Sequence, residues 1–325
     1  MNKKGQIVTW SIIALLILSY TNTNTQTTAN PTNNENTWTQ KTPLPHARGY
    51  LGVVASDNEI YAIGGRDTLV SDSIIISGTL VGYNEAYNPK TDKWTTKTPM
   101  PTPREDFAIA YYQNKIYCTG GIWSSISGKG ALLTDTNEVY DIQTNTWSTK
   151  KPLPQALNGQ QANVVEGQIY VIGGEDQKGK HLNDTFVYDP ASDTWTTKAP
   201  MPFATSGYIS TVHNNKIYII GGVLAGCRIQ IYDPQTDTWS TGSDLPPGDG
   251  VGTGSGVTSG IKVPVQIYAL SDDGSNKIFD PISNNWTNGD SIPTIRRAFG
   301  SAVLDDMLYV VGGIVHTSRR VFIDR

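Results

Sequence analysis

The sequence predicts an all-β chain built from one repeated four-stranded unit, and three observations predict it. The phrase IYDPQTDTW (231–239) returns as AYNPKTDKW (86–94), VYDIQTNTW (139–147), VYDPASDTW (187–195) and IFDPISNNW (278–286), with the aromatic residue and the Trp seven apart each time. A second phrase, IYAIGG (60–65), returns as IYCTGG (116–121), IYVIGG (169–174), IYIIGG (217–222) and LYVVGG (308–313), with a degenerate copy IYALSD (267–272). From each Trp to the Tyr of the next such phrase the separation is 23 residues in five units and 29 in the sixth. Fixed internal spacing of this kind marks a repeat architecture and settles the fold question first.

The N-terminus differs from the rest. Lys3 and Lys4 precede IVTWSIIALLILSY (7–20), a positive start before a short apolar run, which is the pattern of a secretory signal. The run falls short of the roughly 20 apolar residues of a bilayer span. Residues 1–20 therefore read as a signal peptide or an N-terminal membrane anchor, and no clean small-x-small cleavage site decides between them. Residues 21–37, TNTNTQTTANPTNNENT, are a polar Asn/Thr-rich tract that buries nothing and reads as a linker. The protein is thus expected outside the cytoplasm, secreted or at the cell surface.

From Trp38 onward each unit reads as four strands. The first is small and apolar (YLGVVAS, DFAIAYY, QQANVVE, YISTVH, FGSAVLD), and the second is the IYxxGG run. The third ends at the aromatic residue of YDP and the fourth starts at Trp. Runs of β-branched and aromatic residues bounded by Gly, Pro, Asn and Asp are strand signals. The piece between third and fourth strands is a turn, because Pro presets one dihedral and Asp or Asn caps its own backbone. What varies is the connection between second and third strands, long at 66–82, 122–135 and 175–183.

A Gly-Gly pair after an apolar strand, then Tyr, then Trp, at a period near 50 residues, resembles the kelch repeat. The resemblance covers residues 38–325 and implies a six-bladed β-propeller, with 48 residues per blade on average. Blades one to five fall at 46–101, 102–154, 155–202, 203–246 and 247–293. Blade six takes 294–325 plus 38–45: the last unit stops at VFIDR and the first Trp phrase has no third strand before it, so the N-terminal strand is expected to close the ring beside Phe322. Closure removes exposed edges. On this reading Trp38, Trp94, Trp147, Trp195, Trp239 and Trp286 are packing residues between blades. The pairs Gly64–Gly65, Gly120–Gly121, Gly173–Gly174, Gly221–Gly222 and Gly312–Gly313 allow backbone that a side chain would block.

In an up-and-down blade the variable loops gather on one face, around the mouth of the central channel. Two of them carry an apolar load that includes Ile75 and Trp123, which either pack together or offer a patch to a partner. Thirteen residues before the second-strand Tyr stand Arg48, Arg104 and Arg296, with Arg297 beside the last. Kelch-like propellers often have Arg near this position bonding backbone carbonyls; the alternative is a cradle for an acidic ligand, since Arg suits carboxylates. The two cysteines, Cys118 and Cys227, are no disulfide framework, and Cys118 sits in a strand as a small hydrophobe.

A net charge of −4 excludes a binder that works by neutralising phosphates. No phosphate loop, dinucleotide fingerprint or nucleophile elbow is present. His46, His181, His213 and His316 fall on different blades without metal-ligand spacing, and neither metal nor cofactor is expected. The function that follows is an exported, monomeric interaction module that recognises a protein or an acidic glycan through the loop face, with the question of an enzymatic activity left open. The resemblance also implies an enzymatic alternative of the sialic-acid mutarotase type, with Arg104 and either Glu105 or Asp106 as its nominees.

Overall fold

The computed structural model describes residues 16–19, 37–67, 70–71, 74–75, 78–126, 130–246, 252–257, 265–315 and 321–322. Six antiparallel four-stranded sheets are present. In blade two, strands Ala108–Tyr112, Lys115–Thr119, Asn137–Asp141 and Thr146–Lys150 run from the innermost strand outward, and blades one, three, four and five repeat that order. The innermost strands Gly52–Ala55, Ala108–Tyr112, Gln161–Val165, Ile209–His213, Gly252–Val257 and Gly300–Leu304 each touch the next, and the last touches the first. The chain is a β-propeller, and the described residues contain no helix.

Two details differ from the sequence reading. In the last blade the outermost strand is Thr37–Thr39, as expected, but the third strand is Leu16–Ser19, which pairs Leu18 with both Trp38 and Leu308. Val321–Phe322 instead folds back on Ile314–Val315. An apolar segment without a turn residue can satisfy the open edge of Met307–Val311 from either end of the chain, and spacing alone does not say which end does so. The second difference is in blade five. Its extra residues fall between Val257 and Ile267, in the connection between first and second strands, and a register shift between Gly252 and Gly254 takes up the slack.

The repeated Tyr, Asp and Trp join one blade to the next. Tyr188 packs on Trp195 with centroids 5.0 Å apart and donates its hydroxyl to Asp193 at 2.6 Å. Asp193 then accepts the backbone N–H of Lys151 in the preceding blade at 2.9 Å, while Trp195 Nε1 donates to the carbonyl of that same Lys151 at 2.9 Å. The arrangement recurs at Thr42 with Asp92 and Trp94, at Thr98 with Asn145 and Trp147, and at Ala199 with Asp237 and Trp239. It recurs again at Ser243 with Asn284 and Trp286. Each of these Asp or Asn residues has φ between 52° and 57°, a left-handed conformation that these two side chains tolerate.

The Trp residues therefore sit half-buried at the rim, and tyrosines fill the wedge between blades further in. Second-strand Tyr61, Tyr117 and Tyr170 meet third-strand Tyr140, Tyr188 and Tyr232 of the next blade in tilted pairs, with centroids 6.1, 6.0 and 5.8 Å apart. Cys118 lies in the same interior, its thiol pushed up to about 12 by burial, and both cysteines are free.

The glycine pairs make the matching contact near the channel. Gly65 donates its N–H to the carbonyl of Arg104 in the next blade at 2.9 Å, and Gly121, Gly174 and Gly313 do the same to Leu157, Thr205 and Arg48. A Cβ on Gly64, at φ +61, would stand 2.7 Å from the Arg104 carbonyl oxygen. No other residue fits there.

Asp193 is held below the usual carboxylate range, first by the Tyr188 hydroxyl and then by the Lys151 N–H. Its contribution is present above the unfolded carboxylate pKa of about 3.9 and is lost as pH falls through the lower folded value. Asp193→Ala is expected to cost about 1–3 kcal/mol, because it leaves a buried tyrosine hydroxyl and a backbone N–H without their acceptor. Urea denaturation at neutral pH reads that loss, and the deficit should shrink in acid.

Candidate functional site

Arg48, Arg104 and Arg296 are 0%, 0% and 2% exposed. Arg48 donates from Nε to the Gly64 carbonyl at 2.7 Å, from Nη2 to Ala62 at 2.9 Å and from Nη1 to Glu85 Oε2 at 2.5 Å. Glu85 also meets His46 Nδ1 at 2.7 Å. Arg104 reaches the Cys118 carbonyl at 2.9 Å and Glu138 Oε2 at 3.1 Å, and Arg296 reaches the Gly312 carbonyl at 2.9 Å. Burial lowers the pKa of all three, that of Arg296 to about 10. The expected cradle for an acidic ligand is therefore not built from these three. They bond backbone carbonyls behind the glycine pairs. In blade four the Thr205 hydroxyl serves the Gly221 carbonyl, and Gln160 Nε2 of blade three reaches across to the Thr119 carbonyl of blade two. Truncating an arginine paired in this way would leave a buried carboxylate uncompensated, at a cost of about 3–5 kcal/mol.

Two residues beyond that column the chain turns into the channel. Tyr50, Asp106, Gly159, Gly207 and Ala298 all have φ between 52° and 63°. Tyr50 N–H donates to Ala298 O at 2.8 Å, Asp106 N–H to Tyr50 O at 3.2 Å, Gly159 N–H to Asp106 O at 3.0 Å and Gly207 N–H to Gly159 O at 2.8 Å. Backbone bonds thus pass from blade to blade around the mouth. Blades three and four use glycine at this turn, whereas blades one and two place Tyr and Asp there. The left-handed conformation costs a bulky L-residue on the order of 1–2 kcal/mol, so backbone preference does not explain Tyr50, whereas Asp tolerates it.

Both line a cavity of about 440 Å³ at the mouth, together with Asn158, Gln160, Glu175, Asp272 and Arg297. That volume lies within the range of small-molecule sites. The cavity is polar and incompletely satisfied: among the described residues, Asn158 Oδ1, Gln160 Oε1 and Arg297 Nε are buried atoms without a hydrogen-bond partner. Burial pushes the Asp106 carboxyl up to about 7; the neighbouring Glu105 adds to the rise and Arg66 opposes it. Glu105 itself is held bidentately by Arg66, at 2.8 and 2.5 Å. The Tyr50 phenol is raised by burial first and then by Asp106, with Arg297 pulling the other way, so the three groups share one electrostatic environment. On the rim, His181 Nδ1 lies 2.9 Å from Ser206 Oγ and 3.7 Å from Glu175.

Of the residues expected to bind, Arg297 is the one that the structure places in this cavity. Trp123 is 48% exposed on the strand Ile122–Ile126, on the same face but outside the cavity. Ile75 lies in the short strand Ile74–Ile75, and its side chain is outside the described residues. Asp106 was one of two alternatives beside Arg104. Tyr50, Asn158, Gln160 and Asp272 were not found at all. A signal existed for Tyr50, which stands where blades three and four carry Gly. No group of three potential metal ligands occurs among the described residues.

Six four-stranded blades, glycine pairs locked to the neighbouring blade and a rim of Trp contacts define a kelch-type propeller. The family described as "KLHDC2/KLHL20/DRC7 Kelch-repeats domain" matches residues 17–222 and 150–313, and the chain belongs to the kelch-repeat family. Its relatives include "Kelch-like protein terF" of Aspergillus terreus, 28% identical over 152 residues, which are 46% of this chain and 32% of the relative. "Beta-scruin" of Limulus polyphemus is 31% identical over 140 residues, 43% of this chain and 14% of the relative. The match thus spans a third or less of these longer proteins. Among solved structures, the one titled "Structure of YjhT" superposes with a TM-score of 0.70 at 15% identity, covering 86% of this chain and 95% of the other, a likeness of fold.

The folded pKa of Asp106 lies above that of a free aspartate, about 3.9, so the folded state keeps a proton that the unfolded chain releases between about pH 4 and 7. This carboxyl therefore contributes its full stability below pH 4, and the contribution is lost as pH rises through 7. Asp106→Asn is expected to melt progressively higher than the parent as pH goes from about 5 to about 8. A difference in melting temperature independent of pH would show that the carboxyl is not desolvated.

Proposed function

We propose that this propeller is an interaction module that takes a small acidic glycan at the channel mouth. The observation that carries the reading is the conjunction of Arg297 with the orphaned acceptors Asn158 Oδ1 and Gln160 Oε1 in one 440 Å³ cavity. A guanidinium pairs with a carboxylate in bidentate fashion, and the acceptors suit the hydroxyl or amide donors of a sugar. Kelch repeats as a class mediate interactions, and the loop face around the cavity is where this chain varies most from blade to blade. In titrations of the purified protein with N-acetylneuraminate and with glucose, followed by ligand NMR, the acid should bind and the neutral sugar should not. Arg297→Gln should weaken binding by about tenfold or more, the scale of losing one charge-assisted pair, without shifting the melting temperature. Equal binding of both sugars, or indifference to the substitution, would sink the reading.

One observation favours the enzymatic alternative. A carboxyl with a pKa of about 7 can both give and take a proton at neutral pH, and Asp106 shares the cavity with the arginine that would hold the substrate's carboxylate. Anomer exchange needs little more: a proton leaves the anomeric hydroxyl and another reaches the ring oxygen. Exchange NMR of the bound sugar separates the two readings, because catalysis would accelerate exchange and Asp106→Asn would abolish the acceleration.

Export is part of the same proposal, supported by Lys3, Lys4 and the apolar run that follows. Cleavage after that run would remove Leu16–Ser19 and free its place in the last blade for the segment through Phe322, whose spacing from Gly312 resembles that in blade four. The intact mass of the protein recovered from culture medium tests this: loss of about the first 20 residues is expected, and retention of Met1 would refute cleavage.

A further inference from the structure

Six large apolar side chains are conspicuously exposed among the described residues, and five of them, Trp123, Phe203, Val223, Leu224 and Ile295, lie on the loop face. Three of the five are on blade four, and none of the three lines the cavity. Phe203 is 40% exposed, Val223 51% and Leu224 68%. Two segments carry them side by side: Val223 N–H donates to the Ser206 carbonyl at 2.9 Å, and the Thr205 hydroxyl donates to the Val223 carbonyl at 2.9 Å.

This patch is built rather than merely left open. Gln230, fully buried, grips both backbone groups of Phe203, accepting from its N–H at 2.8 Å and donating to its carbonyl at 3.0 Å. Leu224 holds a φ of +72°, a strained setting for a branched apolar residue, at the tip of the turn between Gly222 and Arg228. That turn is closed by the Gly226 N–H on the Gly222 carbonyl, and Ala225 anchors it with no exposure at all. Strain of this order persists where a structure over-determines it, and it is commonest at ligand contacts.

A charge completes the arrangement. The guanidinium carbon of Arg228 lies 4.3 Å from the centroid of the Phe203 ring, and Nη1 donates to the Ala225 carbonyl at 3.2 Å. Among the described residues no carboxylate stands within ion-pair distance of Arg228. A guanidinium fixed over an aromatic face beside two exposed aliphatic side chains is complementary to a carboxylate flanked by a large apolar group. Arg and aromatic residues are also the types that dominate binding energy at protein interfaces.

We propose that this surface of blade four docks a partner protein through a segment presenting Asp or Glu next to a large apolar side chain. Arg228 takes the carboxylate, and Phe203, Val223 and Leu224 take the apolar group. None of these four side chains lines the cavity at the channel mouth, so failure of this site would not affect the glycan reading.

The test uses short random peptides displayed on phage and panned against the immobilised full chain. Enriched sequences should pair Asp or Glu with Leu, Phe or Trp. A synthetic peptide of that sequence should bind at least about tenfold more weakly to Arg228→Gln and to Leu224→Asp. Arg297→Gln should bind it unchanged. Both blade-four substitutions are at exposed or rim positions, and melting curves confirm that the variants fold. No enrichment, enriched peptides lacking an acid, or unchanged affinity for Leu224→Asp would each overturn the proposal. So would concentration-dependent self-association of the full chain that Leu224→Asp abolishes, which would assign the patch to a second copy, or vesicle binding lost in the same variant.

Discussion

Everything in this ring depends on one backbone residue being held at both its N–H and its carbonyl by the next blade, at five of the six junctions. Thr42, Thr98, Lys151, Ala199 and Ser243 are gripped in this way, by the Asp or Asn and the Trp of a single turn. Two hydrogen bonds on one residue fix orientation as well as distance, so neighbouring sheets cannot slide past one another. The turn supplies both contacts because Asp or Asn is placed at positive φ and Trp follows two residues later. In four of the five turns a buried tyrosine hydroxyl also holds that acceptor in place.

Near the channel the same problem is solved with backbone alone. The second glycine of four of the five pairs reaches the carbonyl two residues before the channel turn of the next blade, and the turns then bond to one another around the mouth. The first glycine of the pair is required because a Cβ there would collide with that same carbonyl. The buried arginines sit behind this junction and satisfy carbonyls that the glycine turns leave turned inward. In blade four, which lacks the arginine, the Thr205 hydroxyl serves the Gly221 carbonyl instead.

With the junctions fixed by backbone, the side chains at the channel turns are free to differ. Blades three and four take the unstrained choice, glycine, whereas blades one and two hold Tyr50 and Asp106 at positive φ. The rigid ring sustains the strain at Tyr50 and presents the two groups beside Arg297 in a polar recess, where burial raises the Asp106 carboxyl. Loop length varies on the same face, so the chemistry of the mouth and the surface on blade four can change without altering the scaffold.

The repeat made most of the fold legible. Fixed Trp-to-Tyr spacing gave the blade count, the strand order within each blade and the face on which the loops gather, because these follow from strand periodicity and turn chemistry along a contiguous stretch. The candidate site was legible only in part. Arg297 and Asp106 could be named, but Arg48, Arg104 and Arg296 were indistinguishable from ligand-binding arginines until their carbonyl partners were known. Side-chain direction at a positive-φ turn is set by contacts with the neighbouring blade, some 50 residues away in sequence.

By itself, then, the sequence determined the identity of the repeating unit and the residues that join one unit to the next, since local spacing encodes both. Only the tertiary structure decided which segment fills the third strand of the last blade, which arginine faces the channel and which apolar side chains remain on the surface. Those outcomes depend on groups from distant blades competing for the same space and the same hydrogen bonds.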